Sequence, residues 1–145
     1  MPEKETIERA KEDKAEGKAP STQAGEFVRE EMDHIREGKH GARSPQQAIA
    51  IGLSKARRAG VDLPPPRKGT ASEGTRKRAE RDLEKGKTGK RAKPSAKRSR
   101  ATTQALKRES RAAASKPALS KQAKQAASRR RARGKTTSST KRSTR

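Results

Sequence analysis

Between residues 22 and 37 apolar side chains return at helical spacing. At about 100° per residue, Ala24, Phe27, Val28, Met32 and Ile35 share one face, and Glu26, Glu30, Asp33 and Glu37 form a stripe opposite. The pattern predicts a two-sided helix over about 22–37, with Ser21 as N-cap and Gly38 as its stop. Glu31 breaks the pattern by falling inside the apolar arc. A buried unpaired carboxylate is costly, so the expectation is an edge position that reaches water or pairs with a Lys or Arg. A second pattern follows at once. Ser44, Pro45 and Gln47 form a capping box that opens a helix over about 45–59, and Gly60 closes it. Ile49, Gly52, Leu53, Ala56 and Ala59 share its face, and the small residues would let another backbone approach.

Elsewhere the pattern is weaker. Residues 3–18 predict a polar helix, with Glu5–Arg9 and Arg9–Asp13 at i,i+4 spacing and Ile7 as its single large apolar side chain. Gly17 and Pro20 should end it. Pro64, Pro65 and Pro66 cannot continue a helix and favour an extended spacer. Beyond them, 70–85 predicts a short basic helix with Arg76–Glu80 and Arg81–Lys85 contacts, and the Ala-rich stretches 103–115 and 118–133 predict helices that form on binding. The expected fold is mostly α: a short helical hairpin preceded by a polar helix and followed by a long disordered basic tail with transient helices. The expected division is a helical module over 1–63, a Pro-rich linker over 64–69 and a nucleic-acid-binding tail over 70–145.

Charge sharpens this division. The chain has 145 residues, a net charge of +23, 26% apolar residues and one aromatic, Phe27. Residues 1–66 hold equal numbers of acidic and basic side chains, 12 of each, whereas residues 67–145 hold 28 Lys/Arg against 5 Asp/Glu. No acidic residue follows Glu109. Low hydrophobicity with high net charge marks a chain that cannot offset its ordering entropy, which is the ground for expecting disorder in the tail. So few large apolar residues also make a lone hairpin marginal. It is therefore expected to dimerise, or to dock on a partner, through Phe27, Ile49, Gly52, Leu53 and Ala56. The absence of cysteine excludes disulfides and thiolate metal sites. No apolar run has the length of a membrane span, and the N-terminus is too acidic for a signal peptide, so a soluble, cytoplasmic protein with no membrane contact is expected.

The blocks KHGARS, QAIAIGLS and ARRAG, within Lys39–Gly60, resemble a bacterial family of small basic proteins without an assigned activity, over about residues 1–68. Some of its members carry the labels DNA-binding or plasmid stabilisation, which implies a nucleic-acid partner. The tail is similar in composition to the tails of linker histones and of bacterial histone-like proteins.

Duplex DNA carries about one charge per 1.7 Å, and each phosphate neutralised releases counterions. The candidate contacts are Lys97, Arg98, Arg100, Lys107, Arg108, Lys121, Lys124, Arg129, Arg130, Arg131, Arg133 and Lys135. With one aromatic in the chain there is no base-stacking route, so binding should be tolerant of sequence and sensitive to salt. The expected function is non-sequence-specific DNA binding by a nucleoid-associated, histone-like protein. The alternatives are an RNA- or ribosome-associated protein, and an adaptor whose hairpin binds a protein. Lys39, His40, Arg43 and Ser44, in a loop that feeds a helix N-terminus, form a candidate phosphate site. Gln47, Ser54, Arg57 and Arg58 could present a helix-turn-helix reading face. The stripe Glu26, Glu30, Asp33, Glu37 could bind the chain's own tail. His34 and His40 do not share a helical face, and Gly38 should end the helix between them, so no metal is expected. No nucleophile triad or phosphate-binding glycine motif is present, so neither catalysis nor a cofactor is expected.

Overall fold

The computed structural model describes residues 2–89 and 93–142, with side chains as far as residue 134. Helix α1 spans Lys4–Ala15, α2 Pro20–Arg36, α3 Pro45–Arg58, α4 Glu73–Thr88, α5 Ala96–Lys107 and α6 Lys116–Arg142, with a 3-10 turn at Arg111–Ala114. Among the described residues there is no strand, and no helix is long and apolar enough to cross a membrane.

The predicted hairpin is α2 packed on α3. Ser44 caps α3 by accepting from the Gln47 amide at 3.2 Å, the first arm of the capping box, and Gln47 Oε1 accepts from the Arg43 amide, one residue before the cap, at 2.7 Å. Gly52 sits where the two helices cross: a Cβ there would lie 2.7 Å from Val28 Cα. The start of α2 differs from expectation. Ala19 is the N-cap, Pro20 opens the helix and Ser21 lies inside its first turn. Proline's fixed φ suits that opening position, so Pro20 begins α2 instead of ending α1. In α1 the expected pairs within the helix give way to partners farther off. Arg9 reaches Glu26 on α2 at 2.8 Å, and Asp13 holds Lys18 at 2.7 Å across the Gly17 turn.

Two apolar clusters form the core. Phe27 packs with Ala10, Ala24, Ala56 and Val61, flanked by Ile7, Leu53 and Leu63. Met32 and Ile35 pack with Ala42, Ala48, Ala113 and Ala114, flanked by Val28, Ile49 and Leu119. The face expected to meet a partner is therefore turned inward. Phe27, Gly52 and Ala56 are buried, and Ile49 and Leu53 are half-buried, against other parts of the same chain. Glu31 is fully buried, not at an edge; its carboxylate pairs with Lys55 on α3, as one arm of the expectation required.

The disordered tail is the expectation the structure corrects. Most of 73–142 is helix, and parts of it belong to the core. Ala113 and Ala114 are buried beneath α2, where the Arg36 side chain donates to the Ala114 carbonyl at 3.0 Å. The Gly41 and Ala42 amides donate to the carbonyls of Leu106 and Ser110 at 2.8 and 3.0 Å. Helix α4 lies on α3, burying Ala79, and Ser54 donates to Asp82 at 2.6 Å. Gly41 and Gly86 permit these approaches, since a Cβ would overlap the carbonyl oxygen of Glu109 at the first and of Arg57 at the second. Composition pointed to disorder because it counts large apolar residues; here the docking surface is alanine, glycine and backbone. The expected Arg76–Glu80 pair is present at 3.3 Å.

Candidate nucleic-acid interface

Helix α5 begins at Ser95, whose hydroxyl accepts from the Arg98 amide at 3.2 Å, and it has no buried residue. Lys97, Arg98, Arg100 and Lys107 are exposed along it, and Arg108 is exposed at its C-cap. Among the described residues, helix α6 docks on the core only through its first half. Ala118, Leu119, Gln122 and Ala126 are half-buried and lie within about a quarter-turn or so of one another, with Leu119 against the second cluster. Lys121, Lys124 and Arg131 fall on the side opposite, and all three are exposed. Arg129 and Arg133 are exposed farther along the same side as Ala118, Gln122 and Ala126, and Arg130 near the side of Leu119, with Arg133 within 3.5 Å of the Gly69 carbonyl. Lys135 lies beyond the residues whose side chains are described. At about 1.5 Å per residue α6 runs ~40 Å, longer than one turn of duplex.

The other candidate sites come out differently. Lys39 pairs with Glu37 at 3.2 Å and with Glu3 at 3.5 Å, which raises its pKa, chiefly through the hydrogen bond to Glu37. His40 faces Glu31 at 3.1 Å, and Ser44 is the α3 cap. With the amides of residues 41–43 bonded to other acceptors, the loop's donors serve the fold, and of the four residues Arg43 alone is exposed without a role in it that its side chain defines. The helix-turn-helix face is partly taken up by other contacts: Gln47 bonds to the Arg43 amide. Ser54 and Arg58 meet Asp82, while Arg57 is buried and donates to the Leu63 and Pro64 carbonyls at 3.1 Å each; desolvation lowers its pKa. Among the described residues the acidic stripe has local partners and none in the tail: Glu26 with Arg9, Asp33 with Arg36, Glu37 with Lys39, and Glu30 with the Glu3 amide and His34.

Two clusters escaped the sequence reading. After Gly38, at φ +80°, the chain reverses and brings His40 back beside His34, with ring centroids 6.3 Å apart. Helical spacing separates the two residues, but the turn reunites them. Glu31, His40 and Lys55 form one cluster within the hairpin. Glu3, Glu30 and His34 form the other, between the start of α1 and α2. There the hydrogen bond from His34, with help from Lys39, holds the Glu3 carboxyl below its usual pKa. The sequence signals were Glu31 in an apolar arc and the i,i+4 pair Glu30–His34.

By fold and surface, the chain is an α-helical protein whose core is assembled from both halves and whose last two helices are densely basic. A family model described as a family of unknown function (DUF6496) matches residues 14–68, which covers α2, the reversal, α3 and the proline run. No curated protein and no solved structure matches.

Proposed function

We propose that the protein binds nucleic acid, DNA in the first place, through phosphate contacts from α5 and α6 and without sequence preference, as a cytoplasmic, nucleoid-associated, histone-like protein. The observation that carries this reading is the exposed row Lys121, Lys124 and Arg131 on the side of α6 opposite Leu119 and Ala126, in a region with no carboxylate after Glu109. A row of cations on a preformed helix can lie along a phosphate backbone without the ordering cost that a disordered tail would meet. The similarity of the tail to histone-like proteins points the same way.

The test is competition binding by the full chain, using two unrelated duplexes of equal length and one RNA hairpin. Equal affinity for the duplexes, with RNA weaker, supports the reading. Strong preference for one duplex, or for RNA, overturns it; preference for RNA would favour the RNA-associated alternative.

A further inference from the structure

Beside α1 and α2 lies a cavity of about 180 Å³ whose lining includes Glu3, Thr6, Glu30 and His34. We propose that Glu3, Glu30 and His34 bind a divalent transition-metal ion of the zinc type, tying the start of α1 to α2. One ligand atom from each of the three lies within 4.8 Å of the others. His34 Nε2 is 3.0 Å from Glu3 Oε1 and 3.7 Å from Glu30 Oε1. A tetrahedral ion about 2.0–2.1 Å from each ligand needs ligand atoms about 3.3 Å apart, and the two distances bracket that value. Carboxylate and imidazole together suit zinc-like ions, and the cavity leaves the fourth position open to water.

A second observation comes from buried polar atoms, one of them, on Thr6, outside the cluster. Glu30 is 4% exposed and Thr6 fully buried, yet Glu30 Oε2 and Thr6 Oγ1 have no hydrogen-bond partner. A buried carboxylate oxygen without a donor is costly, and a cation with its bound water supplies what both atoms lack. The wider charge agrees. Five carboxylates line the cavity against two guanidiniums, those of Arg9 and Arg29. Lys39, near Glu3, is half-exposed and is held also by Glu37, so it can swing aside. The neighbouring group Glu31, His34, His40 is spatially just as close, but the Lys55 ammonium already neutralises its carboxylate, which leaves no excess charge to attract an ion.

The experiment adds Co²⁺ alone, as a spectroscopic probe, to metal-free full-length protein. The expected result is one equivalent bound, with the visible absorption of four-coordinate cobalt, displaced by Zn²⁺. Glu3→Gln, at an exposed position that cannot unfold the core, should weaken binding by about tenfold or more, and His34→Gln should abolish the band with helix content retained. His40→Gln should leave it unchanged. Absence of a band, or a band lost in His40→Gln but kept in His34→Gln and Glu3→Gln, overturns the proposal. Nucleic-acid binding is read separately, so failure here leaves the functional proposal intact.

Discussion

Glu31 and Lys55 form an ion pair inside the helical hairpin, with the carboxylate fully buried and the lysine about one-fifth exposed. Breaking one partner of a buried pair costs about 3–5 kcal/mol, and here His40, 3.1 Å from Glu31, would remain as the carboxylate's other neighbour. Lys55→Met should therefore destabilise the protein by roughly 3 kcal/mol in urea unfolding, the lower end because Lys55 keeps some contact with water. The double variant Glu31→Leu/Lys55→Met should lose less than Lys55→Met alone. Additive losses would show that the two side chains act independently.

Three glycines separate close approach from mere flexibility. Gly86→Ala would drive a methyl into the Arg57 carbonyl and should loosen α4 from α3, with a stability loss of about 1–3 kcal/mol. Gly41→Ala should act likewise on the contact with Glu109. At Gly25, within α2 and with nothing near its Cβ position, alanine should stabilise by about 0.5–1 kcal/mol. Thermal unfolding of the three variants checks the order.

Docking of the second half has a direct reporter. The amides of Gly41 and Ala42 donate to Leu106 and Ser110, so both should be protected from hydrogen exchange. Ala114→Glu, which forces a charge under α2, should remove that protection while leaving the α2–α3 amides slow. Fast exchange at residues 41 and 42 in the unaltered protein would mean that the second half does not dock.

These relationships show what could be read from the sequence. Helix α3 was legible because Ser44, Pro45, Gln47 and Gly60 act locally, and a capping box works the same way in any fold. The apolar face of α2 was legible for the same reason, since its spacing needs no partner. What covers that face was not. Arg111-Ala-Ala-Ala114 has no periodicity and little side-chain area, so nothing in it announces a core element. Its approach depends on Gly41, about seventy residues away along the chain. The two His clusters were missed because the α2–α3 reversal brings His40 to Glu31, and the packing of α1 on α2 brings Glu3 to Glu30 and His34. The basic residues of α5 and α6 were easy to find as charges, but the side of α6 they occupy depends on where Leu119 docks.

The salt dependence of duplex binding tests the central claim most directly. For full-length protein, log affinity should fall against log salt with a slope of about −4 or steeper, and Lys121→Gln/Lys124→Gln/Arg131→Gln should make it shallower by about 2 to 3. A slope near zero, or one unchanged by the triple substitution, would contradict binding through the exposed row on α6.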